Sequence, residues 1–265
     1  MRDRQRLFAS IDNFDHKAFA AADLGFVWAA NTNVVPSSMW MTLQAFRDPA
    51  LLARIRAELT ANVDAAAISE LELDSANLDN LNLMQSVYAK VLRLYVQAYS
   101  VRYTGEKQLQ VNDWIVPRRS IILASTTEAA MDPTFWNTKA GAHLVHTFWA
   151  ERFLVHPDNP TSGPMAKPPM TARTGSPKPF GTQPKFSLAG TTGWWFPYGG
   201  GPRQCIGRAF SKRAMIGACA AMVSFFDIEI LASEKDLGLD PKFYGLGGQG
   251  LVGKVRFRIR RRRLE

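Results

Sequence analysis

Apolar residues dominate from about Lys17 to Phe46, and their spacing predicts one long helix. Asp48-Pro49 stops it, an N-cap followed by proline at the first helical position. Ala50 to Leu59 then reads as a second helix with basic residues toward its end. A third covers roughly Leu78 to Tyr95, with Leu81, Met84, Val87, Val91 and Leu94 on one side. Gln108 to Val111 and Ile115 to Leu123 are short strands about an Asn112-Asp113 turn. A further helix is expected from Gly141 to Trp149. From His156 to Pro197 the chain is rich in Pro, Gly, Ser and Thr, the composition of a long irregular connector. Gly207 to Phe226 is helical, and a glycine-rich turn at Gly245 to Gly250 joins the final strands. Val255, Phe257 and Ile259 alternate with basic residues, as in a half-buried strand with a basic outer face. The order predicts a mainly α fold with small β-sheets and no internal repeat.

The long helix carries its own interruption. Asn31, Thr32 and Asn33 break an apolar run, and Pro36 follows. Proline cannot donate to the carbonyl of Thr32, so the helix should open or kink there.

Composition narrows the setting. A chain of 265 residues buries a real core, and 46% apolar content is ordinary for a globular protein. Two cysteines make no disulfide framework, which fits a reducing intracellular compartment. No apolar signal or anchor follows Met1-Arg2-Asp3-Arg4-Gln5-Arg6, and no run of about 18 apolar residues appears, so no membrane span is expected. The net charge of +9 gathers at Lys254, Arg256, Arg258 and Arg260 to Arg263. No nucleic-acid motif accompanies it, so nucleic acid is not an expected partner. An acidic redox partner or an anionic lipid surface is a better match for that charge.

The most informative stretch is Tyr198-Gly199-Gly200-Gly201-Pro202-Arg203-Gln204-Cys205-Ile206-Gly207. A glycine-rich loop presents one sulfur two residues after an arginine, and a helix begins behind it. The positive end of that helix favours thiolate over thiol. A lone sulfur with no second Cys or His in metal spacing argues against zinc and suits the proximal ligand of a haem. The alternative is a buried, inert cysteine in a glycine-rich turn. Cys219, among Ala218, Ala220 and Met222, reads as a small core residue.

This loop resembles the haem-binding signature of the cytochrome P450 family, with Tyr198, Gly201, Arg203, Cys205 and Gly207 in the signature places. The family usually has phenylalanine where Tyr198 stands. The resemblance runs from the family's long central helix to its last hairpin. It implies a cytochrome P450-like fold seen in its C-terminal half, residues 1–265 being that part of a catalytic domain. It also implies haem (iron protoporphyrin IX) as cofactor, Cys205 as the iron ligand, and Arg203 and Arg102 facing the haem propionates. Aligned on Pro36 and Trp40, the helix interruption is similar to the sterol 7α- and 12α-hydroxylase and prostacyclin synthase branch. On that alignment Asn33 stands for the acid of the proton relay and Val34 for its alcohol, with Thr32 two positions earlier.

The resemblance also implies a glutamate held between two arginines behind the haem. Arg93 and Arg152 match the arginines, but Lys90 occupies the glutamate position. Three cations would then meet, unless Glu151 swings in or Lys90 snorkels out. The implied activity is a haem-thiolate monooxygenase acting on an apolar small molecule such as a terpenoid, steroid or polyketide. Its electrons would come from an NADPH-dependent flavoprotein reductase. Two alternatives stand beside it: a haem-thiolate isomerase or dehydratase needing no external dioxygen, and a truncated, inactive family member.

Overall fold

The structure, a computed structural model, describes residues 2–69, 75–167 and 183–262. Part of the irregular connector (168–182), and Arg263 of the basic tail, lie outside the described residues.

Helix α1 (Arg2–Ala9) leads into α2 (His16–Thr32), capped by the Asp15 carboxylate, which accepts from the Ala18 amide at 2.8 Å. The expected single long helix ends here. Asn33 (φ −102°, ψ −35°) separates α2 from α3 (Val34–Arg47), so the interruption falls just ahead of Pro36. Asp48 then caps α4 (Pro49–Asn62), accepting from Leu51 N at 3.0 Å. Short helices α5 (Ala65–Ser69) and α6 (Ser75–Asn80) precede α7 (Asn82–Tyr95). Glu58 on α4 caps α7 from outside: its carboxylate accepts the Leu83 and Met84 amides at 2.7 and 3.0 Å. Those donors belong to the four that a helix start leaves unpaired.

Strand β1 (Val96–Tyr103) leaves α7 directly. The hairpin of β2 (Leu109–Val111) and β3 (Trp114–Val116) turns at Asn112, whose φ is 51°. The strand expected over Ile115 to Leu123 is split, and its second part is β4 (Ile121–Ser125), after Pro117. Helix α8 (Thr126–Met131) follows, then β5 (Leu154–Val155), β6 (Lys185–Phe186), α9 (Arg208–Phe225), β7 (Phe226–Ile230), β8 (Leu246–Gly248) and β9 (Phe257–Arg261). The expected Gly245–Gly250 turn therefore contains a strand. β8 pairs antiparallel with β1, Val96 opposite Gly248, and β4 pairs on the other side of β1.

The core lies where α3, α4, α7 and α9 pack together. The predicted α7 stripe is buried: Leu81, Met84, Val87, Val91 and Leu94 are each under 5% exposed. Each such side chain contributes about 1.5–3 kcal/mol by leaving water. Trp40 stacks on Tyr95 with ring centroids 3.9 Å apart, and its Nε1 donates to Gln249 O at 2.8 Å, tying α3 to the last part of the chain. Cys219 is buried on α9, as expected.

Two further expectations fail. Gly141 to Trp149 is not a helix: Lys139, Ala140 and Gly141 all have positive φ. The carbonyls of His143, Leu144 and Val145, which a helix would use, instead accept from Arg152 and Arg93. β9 is not half-buried either, since Phe257 and Ile259 are 52% and 49% exposed. Its basic residues do face acids on β7, Arg258 with Glu229 and Arg260 with Asp227. Among the described residues, no helix is long and apolar enough to cross a membrane.

Candidate cofactor-binding site

The helix break and the glycine-rich loop face each other across a cavity of about 460 Å³. One wall is Ala29, Ala30, Asn33, Val34 and Ser37 from α2 and α3; the opposite wall carries Tyr198, Arg203, Cys205 and Gly207. Val101 and Arg102 of β1, with Leu246 of β8, close the side. The loop makes its turns through Gly199 and Gly201, at φ 69° and 66°, a backbone region open to glycine. Its start is tied to the cysteine: the Cys205 amide donates to Tyr198 O at 3.0 Å. Cys205 is exposed to the cavity, and α9 begins three residues later.

The two arginines expected beside the loop are both there. Arg203 lines the cavity. Arg102 donates through Nη2 to Gly200 O at 2.6 Å, so it braces the loop as well as bordering the cavity.

The two relay candidates part company. Asn33 lines the cavity, but its Oδ1 accepts the Gly248 amide at 2.8 Å, fastening the helix break to β8. Thr32 is not brought to the cavity; its Oγ1 donates back to Trp28 O at 2.6 Å. Val34 offers no hydrogen-bonding group to the space it lines. Ser37, which the sequence pattern did not single out, lines the cavity one turn beyond Val34. It is 1% exposed, and its hydroxyl has no partner among the described residues. Only its place on the Asn33–Val34 face of the helix could have signalled it.

Behind the loop, Lys90 is fully buried, and its Nζ has no acceptor among the described residues. Neither rescue occurs. Lys90 does not reach water, and Glu151 turns away to Arg54 at 2.5 Å. Arg93 donates to the carbonyls of Ala130 and Val145, and Arg152 to those of Asn137, His143 and Leu144. Burial, and then the charges of Arg93 and Arg152, hold the Lys90 amine well below the ordinary lysine value. Burial also lowers Arg93 to about 9 and Arg152 to about 10. Of the three, the amine loses its proton most readily, because a guanidinium holds its charge far more tightly.

A larger depression, about 930 Å³, lies between α3 and β7. Its charged groups are already engaged: Arg47 pairs with Glu234 at 2.6 Å, and Asp48 caps α4. The chemistry therefore sits at the cysteine cavity.

An apolar cavity with one thiol on its wall and two guanidinium groups at that side defines a site for a flat, apolar, carboxylate-bearing cofactor. The cytochrome P450 family model matches residues 5–247, and the chain belongs to the cytochrome P450 family. The "Cytochrome P450 monooxygenase efuG" of Hormonema carpetanum is 38% identical over 99% of this chain and 47% of the relative. The "Cytochrome P450 monooxygenase fsoE" of Humicola fuscoatra is 39% identical over 99% of this chain and 46% of the relative. The sterol-hydroxylase likeness is distant beside these: the "Cholesterol 7-alpha-monooxygenase" of Cricetulus griseus is 23% identical over 100% of this chain and 49% of the relative. Among solved structures, "Crystal structure of a Cytochrome P450 (CYP102L1)" superposes with a TM-score of 0.62 at 17% identity, covering 94% of this chain and 46% of that one. The chain spans about half the length of the curated relatives it matches. Haem held by a cysteine thiolate is the family's cofactor.

The residues present fit that group. The cavity offers a single sulfur, as a haem iron needs from the protein, and two guanidinium groups that suit propionates. Val101, Phe210 and Leu246 line it while 51%, 64% and 67% exposed, apolar surface that a macrocycle would cover.

Proposed function

We propose that Cys205 is the thiolate ligand of haem. The protein that contains this chain is then a monooxygenase acting on an apolar small molecule, a lipid or secondary metabolite such as a terpenoid, steroid or polyketide. Residues 1–265 form the C-terminal part of its catalytic domain. The observation that carries this reading is the shared cavity of Cys205, Arg102, Arg203 and the opened central helix. When bound, thiolate-ligated haem supplies dioxygen activation and oxygen insertion into a substrate. Cys205 would hold the iron, Arg203 and Arg102 would hold the propionates, and the apolar side chains of Ala29, Ala30 and Val34 would keep water from the opposite wall. Asn33 holds the helix open through its bond to Gly248. Electrons come from an NADPH-dependent flavoprotein reductase, and the exposed Arg208 and Arg213 on α9 give a basic surface that suits an acidic partner.

The test is the absorption spectrum of the reduced, carbon monoxide-bound protein after expression with haem. A thiolate-type Soret band that disappears in Cys205→Ala is expected. Haem uptake with the same band in Cys205→Ala would mean that another group holds the iron. No uptake at all would favour an inert fragment over an enzyme for this chain by itself.

Val34 and the inward-bonded Thr32 favour a second reading, an isomerase or dehydratase rearranging an already oxidised substrate. Product formation that requires reductase and NADPH decides against it.

A further inference from the structure

We propose that the hydroxyls of Tyr88, Tyr198 and Ser211 form a bonded chain that positions the sulfur of Cys205 by closing its loop at both ends. A phenylalanine at Tyr198 cannot make this chain. The inference rests on the reading of Cys205 as the haem ligand.

Tyr198 opens the loop, and its hydroxyl lies 2.8 Å from the Tyr88 hydroxyl on α7 and 3.2 Å from Ser211 Oγ on α9. Ser211 Oγ in turn donates to Met215 Sδ at 3.8 Å. Each hydroxyl has one hydrogen to give. Ser211 gives its hydrogen to the thioether, so Tyr198 donates to Ser211 and Tyr88 donates to Tyr198. The chain runs one way, with every hydrogen used once. Ser211 stands in the first turn of α9, its amide donating to Gly207 O at 2.8 Å. The Tyr198–Ser211 bond therefore bridges the two ends of the loop that carries Cys205. Tyr198 is held at its other end too, because its carbonyl accepts the Cys205 amide at 3.0 Å.

The anchor is rigid. Tyr88 is 3% exposed in the middle of α7. Trp195 packs edge-on against both phenol rings, with centroids 6.5 and 6.4 Å away, and its Nε1 donates to Ala89 O at 3.0 Å. Burial raises both phenols above their ordinary value.

The test compares Tyr198→Phe, Tyr88→Phe and the double variant in the haem-free chain. Phenylalanine fills the same space, so the fold should survive. Amide hydrogen exchange at Cys205 should speed up about fivefold in Tyr198→Phe, and by less in Tyr88→Phe, which keeps the Tyr198–Ser211 bond. The double variant should exchange no faster than Tyr198→Phe, because that variant already loses the bonds to both Tyr88 and Ser211. In the haem-loaded protein, Tyr198→Phe should broaden the thiolate-type Soret band, because the loop then holds its sulfur less uniformly. Unchanged exchange at Cys205, a double variant faster than Tyr198→Phe, or an unchanged Soret band would each overturn the proposal. Absence of a thiolate band in the unmodified protein would overturn the ligand reading instead, and the exchange measurement would still decide the positioning.

Discussion

Glu151 binds Arg54 at 2.5 Å, and Lys90 is left buried beside Arg93 and Arg152 with no carboxylate partner among the described residues. Lys90→Met keeps the volume and removes the orphaned amine. An unsatisfied buried polar group costs about 1–3 kcal/mol, so this variant should gain about 2 kcal/mol. Lys90→Glu should gain at least as much, since a carboxylate between two guanidinium groups meets opposite charge from both. Urea unfolding with an unchanged slope measures both. A lower midpoint in both variants would show that Lys90 has an acceptor after all.

The same amine gives the chain a pH dependence of known sign. In the unfolded state Lys90 keeps its proton up to the ordinary value of 10.5, whereas the folded state releases it well below that. Between those two values the unfolded state binds more protons, so stability rises with pH, by at most about 1.4 kcal/mol per pH unit for one proton. Below the folded value the contribution is flat. Arg93 and Arg152 act in the same direction at higher pH, and Cys219, raised to about 12 by burial, acts in the opposite one. The advantage of Lys90→Met over the unmodified chain therefore isolates the amine. That advantage should shrink as pH rises toward 10.5, the ordinary lysine value; a constant difference would place the titration elsewhere.

The helix break makes a third prediction. Asn33→Ala loses the bond to Gly248 and should cost about 1 kcal/mol. Asn33→Asp keeps an acceptor oxygen at that place and restores the acid of the family pattern, so it should cost less. Gly247→Ala should cost more than either. Its φ is +117°, and the added Cβ would fall 2.1 Å from Asn33 Oδ1. Thermal unfolding of the three variants gives the order, and an Asn33→Asp as damaging as Asn33→Ala would remove the tether from the account.

What the sequence discloses here depends on range. The Asp48-Pro49 cap and the apolar side of α7 are local signals, and both appear where the spacing places them. The Tyr198–Gly207 loop is equally local, since glycine supplies its turns. Gly141 to Trp149 is misread because its carbonyls are claimed by Arg93 on α7 and by Arg152 on the loop that follows. Asn33 looks like a relay residue in one dimension, while its oxygen is engaged by an amide 215 positions away. Lys90 is the reverse case: its clash was legible from the family pattern. What was not legible was that Glu151 already had a partner in Arg54.

The two cysteines offer a test of the site that needs no turnover. Cys205 is exposed on the cavity wall, while Cys219 is fully buried and its thiol is raised to about 12 by that burial. Only a thiolate alkylates readily, and only if the reagent can reach it. Iodoacetamide at mildly alkaline pH should therefore modify Cys205 in the folded, haem-free chain and leave Cys219 untouched until urea is added. Once haem is bound, Cys205 should become resistant, because its sulfur is then engaged by iron and covered by the macrocycle. Peptide mapping by mass spectrometry reads both sites in one sample. Protection of Cys205 without haem would contradict the open cavity, and undiminished labelling with haem bound would place the iron on another ligand.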